Sequence, residues 1–168
     1  MCKILLQDKT IYLLNMYINN CDICKYVQQA DREIFSTRYW LVALSKDQST
    51  IGRSYLSLKD HKGSLSQLSS EQWGDYIKIV SQVEDVWRKA FGAAPINWAC
   101  MMNFAYHNTP PNPHVHWHIR PRYAQKVSYA GLTFEDAKFG YHYDPAYRRE
   151  VEDKKTTQQI IDKLKSFL

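Results

Sequence analysis

Between residues 114 and 122 the chain reads His114-Val115-His116-Trp117-His118-Ile119-Arg120-Pro121-Arg122, and this alternation constrains the fold more than any other segment. Side chains of an extended strand point to opposite faces in turn. A strand over residues 114–120 therefore sets His114, His116 and His118 on one face and Val115, Trp117 and Ile119 on the other. The apolar face requires a helix or core to cover it. The opposite face presents three of the chain's six histidines in a row. Packing alone gives no reason for such a concentration.

A helix suited to the covering role is predicted over residues 71–91, where Trp73, Ile77, Val80, Val83, Trp87 and Phe91 recur at steps of three and four. Ser69 with Gln72 makes a capping box at its start, and Gly92 can close its end in the left-handed conformation. Further strands are predicted over residues 39–44, 54–58 and 98–106. The stretch Asn108-Thr109-Pro110-Pro111-Asn112-Pro113 must be a loop, because three prolines remove ladder donors. Residues 123–147 read as irregular, broken by Gly131, Gly140 and Asp144-Pro145. A last helix, residues 157–167, carries Ile160, Ile161, Leu164 and Phe167, with Thr156 and Gln159 as its capping pair. Strands, a long helix between them and a helix at the end predict an α+β domain with an antiparallel sheet. At 168 residues, one domain over 1–168 is expected, with a core large enough to stand without disulfides.

The net charge of +5 is scattered, with pairs at Arg148–Arg149 and Lys154–Lys155 but no long basic run, so no nucleic-acid partner is expected. No stretch reaches the ~20 apolar residues that cross a bilayer, so no membrane partner is expected either. Near the N-terminus Gln7-Asp8-Lys9 interrupts the apolar residues and no small-residue cleavage site follows, which reads as no signal peptide and a cytoplasmic location. Cys2, Cys21, Cys24 and Cys100 are then reduced thiols or metal ligands.

Two chemistries fit the histidine row. Imidazoles ligate zinc, but same-face strand positions lie about 7 Å apart, too far to share one ion unaided. Two of them could share a metal with ligands from elsewhere. Alternatively, one neutral imidazole attacks an electrophile while its other nitrogen is held by a neighbouring group, and the flanking histidines position a phosphate. Arg120 and Arg122 suit either bidentate polyphosphate contacts or ion pairs.

His-φ-His-φ-His-φ followed by Pro-Arg resembles the histidine-triad family of nucleotide hydrolases and transferases. Gly52-Arg53-Ser54-Tyr55-Leu56-Ser57-Leu58-Lys59-Asp60-His61 resembles that family's Gly-His-x-Leu-Val-x-Pro-Lys-x-His strand and turn. The similarity spans about residues 20–123, and residues 124–168 form a C-terminal extension. It implies a histidine-triad-like fold and cleavage at the α-phosphate through a nucleotidyl-histidine. His116 would be the nucleophile, His118 would bind phosphate and assist the leaving group, and His114 would support the nucleophile. Asn103 would contact the phosphate or ribose. The family's Gln position falls on Pro110, so Asn108, Thr109 or Asn112 would supply its hydrogen bond. Its ribose-binding position falls near Ser45, and the His of its Gly-His is Arg53. Dinucleoside polyphosphates and nucleoside phosphoramidates are the implied substrates. Cys21-x-x-Cys24 with His61 and His114 resembles the structural zinc site of bacterial members. A homodimer is implied as well. The alternative is a zinc- and nucleotide-binding module with little turnover.

Overall fold

The computed structural model describes residues 20–144 and 146–168. The N-terminal segment with Cys2, and Pro145 of the expected break, lie outside the described residues. The chain runs α1 (Asp22–Gln29), β1 (Glu33–Ser36), β2 (Trp40–Leu44), β3 (Ser54–Leu58), α2 (Ser70–Phe91), β4 (Ile96–Ala99), β5 (His116–Pro121), β6 (Val127–Tyr129), β7 (Leu132–Phe134) and α3 (Lys154–Lys165). The first five strands form an antiparallel sheet in the order β1-β2-β3-β5-β4, which leaves β4 at an edge. The expected α+β architecture is present. Among the described residues, no helix is long and apolar enough to cross a membrane.

The sheet has one greasy face and one chemical face because its strands alternate. Trp40, Val42, Leu56, Leu58, Val115, Trp117 and Ile119 join Ile79, Val83, Val86 and Trp87 of α2 in a single core. Trp117 lies at its centre, with ring centroids 4.6 Å from Tyr76, 5.5 Å from Trp40 and 6.0 Å from Trp73. Helix α2 is capped as expected, with the Ser69–Gln72 box at its start and Gly92 left-handed at its end. Its buried stripe differs from the expected one. Ile79, Val83, Val86, Trp87 and Phe91 face the sheet, whereas Ile77 is 64% exposed. The helix carries two apolar stripes at helical spacing, and spacing alone does not choose between them.

The link between β2 and β3 is built around a buried glutamine. Gln48 donates to the carbonyls of Ser45 and Arg53, and accepts from the amide of Gly52. Gly52 has φ of 80°, and its carbonyl accepts from Trp87 Nε1 at 2.6 Å. A Cβ there would fall 2.8 Å from that same indole nitrogen. Both the backbone angle and the close approach demand glycine.

Several boundaries differ from those expected. The strand expected over 98–106 runs instead as Ile96–Ala99, after which the chain forms a single-turn helix at Asn103–His107. The strand expected from 114 begins at His116. Val115 donates to the Lys62 carbonyl and its own carbonyl accepts from Leu58, so residues 114–115 run beside the turn after β3. The C-terminal helix starts at Lys154, because Asp153 caps it through the amide of Thr156 in place of the expected Thr156 cap. The stretch read as irregular contains the β6–β7 hairpin, whose turn residues Ala130 and Gly131 both have positive φ. Phe134, Val151, Ile160, Ile161 and Leu164 carry this C-terminal region into the common core.

Candidate active site

His116 and His118 project from β5 on the face opposite the core. They pair in register with Ser57 and Tyr55 of β3, and Ala99 of β4 flanks His118. The two imidazole centroids are 5.2 Å apart, and the Tyr55 ring lies 5.0 Å from His118 and 6.2 Å from His116. The Nδ1 of His116 donates to the carbonyl of His114 at 2.8 Å. A carbonyl can only accept, so the proton sits on Nδ1 and the lone pair on Nε2. Burial lowers the pKa of His116. It lowers that of His118 to about 3, helped by His116 and by the positive charges of Arg120 and Arg53. Both rings are therefore neutral near pH 7.

Neutral, buried imidazoles make the fold acid-sensitive. An unfolded histidine titrates near pH ~6.5. Between there and the lower folded values, the unfolded chain binds protons that the native protein refuses, so stability falls as pH drops through that window. Urea unfolding is expected to show a lower midpoint at pH 5 than at pH 7. A midpoint that rises on acidification would contradict the neutral pair.

The third histidine of the row is placed elsewhere. It precedes the strand, and its ring turns into the protein to meet the cysteine pair. The Nε2 of His114 donates to the carbonyl of Leu58 at 2.8 Å, which directs the Nδ1 lone pair at the sulfurs of Cys21 and Cys24, each 3.3 Å away. His61 Nδ1 lies 3.3 Å from the Cys24 sulfur. The four ligand atoms of Cys21, Cys24, His61 and His114 all lie within 4.8 Å of one another. Tetrahedral coordination by two sulfurs and two nitrogens needs edges of roughly 3.5 Å, so the donor set fits a metal. Hydrogen bonds behind the ligands complete the pattern. The Leu58 carbonyl fixes His114, Asn112 bonds to His61, and the amide of Cys24 donates to Cys21 at the start of α1. Burial, with Cys21 adjacent, pushes the Cys24 thiol up to about 12.

The remaining expected residues divide. Asn103, Asn108 and Thr109 are exposed on the segment joining β4 to β5. Ser45 is 2% exposed and its hydroxyl accepts from the Asp47 amide, so it serves the β2–β3 link and lies buried, away from where a ribose would bind. Arg122 is buried and forms an ion pair, with Nε and Nη2 on the Asp136 carboxylate at 2.5 and 3.0 Å. Arg53 pairs with Asp47. Tyr55 was not anticipated, because its place beside His116 and His118 depends on the β3–β5 pairing. Asn112 was expected at the phosphate, and the structure gives it to His61.

No protein-family model and no curated protein sequence matches the chain. Solved structures do. A zinc-bound histidine-triad family protein from Mycobacterium smegmatis aligns over 89% of this chain and 96% of its own, with 18% identity and a TM-score of 0.59. A Hit-like protein involved in cell-cycle regulation from Bartonella henselae aligns over 89% and 97%, with 18% identity and a TM-score of 0.64. A uridylyltransferase aligns over 96% of this chain and 49% of its own, with 15% identity and a TM-score of 0.57.

Proposed function

We propose that this chain, built on the histidine-triad fold, cleaves nucleotide substrates at the α-phosphate through a nucleotidyl-histidine formed on His116. The hydrogen bond from His116 Nδ1 to the His114 carbonyl carries the reading. It aims a free Nε2 lone pair out of a neutral ring. When that nitrogen bonds to phosphorus, the ring becomes cationic and the carbonyl dipole already faces its remaining N–H. The leaving group departs as the P–N bond forms. Water, or another acceptor as in a transferase, then displaces His116 and restores the neutral ring. His118, kept neutral, offers an uncharged N–H to the phosphate or the leaving group. Asn103, Asn108 and Thr109 are proposed to meet the phosphate or ribose from the exposed segment above. Dinucleoside polyphosphates and nucleoside phosphoramidates are the substrates to try first.

Cys21, Cys24, His61 and His114 are proposed to hold zinc. Two thiolates and two imidazoles suit that ion, and four protein ligands leave no open position, so the metal would be structural. It would tie α1 to the turn after β3 and to the segment leading into β5. Reduced ligand thiols accord with a cytoplasmic location.

The test is incubation with α-labelled nucleotides, acid-free quenching and mass mapping. A nucleotidyl mass increment on His116 is expected. Turnover with no adduct on His116 would overturn the reading.

A homodimer is proposed as well, through the open edge of β4 and the second stripe of α2, where Ile77 is exposed. Light scattering after gel filtration should give twice the chain mass, and Ile77→Glu should return a monomer. A wild-type monomer at micromolar concentration would refute it.

A further inference from the structure

We propose that Arg120 is an anion-binding residue, seating the phosphate next to the one that meets His116 and His118, so that the site accepts a polyphosphate chain. The inference rests on the reading of His116 and His118 as the α-phosphate site. It starts from strand geometry. Two residues beyond His118 on the same strand, Arg120 continues the chemical face and pairs with Asn97 of β4. Ser54 pairs with Ile119, so Arg53 comes beside Arg120 at the next step. His116, His118 and Arg120 thus form a line along one strand, with Arg53 alongside.

The state of the Arg120 side chain makes this a binding site. The residue is 8% exposed, and its Nε and Nη1 are buried with no hydrogen-bond partner. The ring of Tyr143 lies over it, with its centroid 3.7 Å from the guanidinium carbon. Among the described residues, no carboxylate pairs with it. Two other arginines nearby show what a structural guanidinium looks like in this fold. Arg122 is saturated by Asp136 and by the carbonyls of Lys138 and Tyr141. Arg53 is held through Nη1 by Asp47 and Ser49, although its Nε has no partner. A buried guanidinium with its donors unused is costly unless an anion completes it. Its planar fork matches two oxygens of a phosphate, and the Tyr143 ring stacks on its face without accepting from its N–H groups. Arg53 and Arg148 add positive charge to the same end of the strand, and His118 contributes none.

The experiment compares inorganic pyrophosphate with orthophosphate by titration calorimetry on the full chain at constant ionic strength. Pyrophosphate spans two adjacent phosphate positions and orthophosphate fills one. Wild type is expected to prefer pyrophosphate by about tenfold or more, as a new bidentate charge-assisted contact implies. Arg120→Met should bring the ratio close to one. Arg120→Lys keeps the charge without the fork and should fall between them. A wild-type chain without the preference, or an Arg120→Met or Arg120→Lys chain that keeps it in full, overturns the proposal. If the methionine variant does not fold, the wild-type ratio and the lysine variant decide. A purely structural role for Arg120 would lower thermal stability and leave the ratio alone. The two readings fail separately. Pyrophosphate preference without a His116 adduct removes the proposed reaction, and an adduct without the preference removes the Arg120 site.

Discussion

His116→Ala is expected to lose turnover and the covalent adduct together, by about three orders of magnitude or more. Every step proposed for the chain passes through Nε2 of that ring, and no neighbour can replace it. His118 lies 5.2 Å away between ring centroids, but its Nδ1 is buried with no hydrogen-bond partner, so nothing aims its other nitrogen as the His114 carbonyl aims that of His116. The substitution should spare the fold, because His116 is half-buried on the face away from the core and its backbone pairing with Ser57 is unaffected. Nucleotide affinity should therefore survive within a few-fold while chemistry disappears. His116→Gly with added imidazole gives a second measurement, since free imidazole can occupy the vacated space and accept the nucleotidyl group. Rescue that saturates with imidazole would place the missing function at that nitrogen. Undiminished turnover in His116→Ala would refute the assignment. A chain that binds nucleotide equally well with and without His116, and turns over neither way, would be the binding module instead.

Much of this site was legible in the residues, and the illegible parts share a cause. The alternation from Val115 to Ile119 depends on a local rule of strands, so the split between core face and chemical face could be read directly. The cap residues of α2 are equally local, and Ser69, Gln72 and Gly92 behave as expected. What could not be read depends on partners distant in sequence. His114 leaves the row because Val115 bonds to Lys62, about fifty residues earlier, and its ring is claimed by Cys21 and Cys24. Helix α1 is short and β1 spans four residues, so neither offers enough periodicity to detect. The β6–β7 hairpin is signalled only by Ala130-Gly131, a weaker pair than Asn-Gly. Arg120 and Arg122 look alike in sequence. Asp136 pairs with Arg122 and not with Arg120, and it lies more than a dozen residues further along the chain.

Cys24→Ser is expected to abolish stoichiometric metal and to lower the thermal midpoint by roughly 10 °C or more. The ligands come from three separate places: the start of α1, the turn after β3 and the residue two before β5. One ion would join them; without it the cysteines keep only thiol–imidazole contacts to the two histidines, while Val115 still bonds to Lys62 and Leu58. The domain has a core of its own, so partial loss of stability is expected where a zinc finger would unfold outright. Activity should fall too, although Cys24 lies outside the proposed chemistry. The same residue, His114, would ligate through its ring and orients His116 through its carbonyl. Loss of metal frees that ring, loosens the carbonyl and lets the His116 tautomer drift, so kcat should drop more than nucleotide affinity. Cys100→Ser is the matched control, because that thiol lies outside the ligand group and its loss should leave metal content unchanged. Elemental analysis and thermal scans would show the outcome. Chelator-treated wild type should reproduce the Cys24→Ser behaviour and recover on addition of zinc, whereas the variant should not. Wild type purified without zinc, and indifferent to chelator and to added zinc, would remove the metal from the account and leave His114 as a purely positional residue.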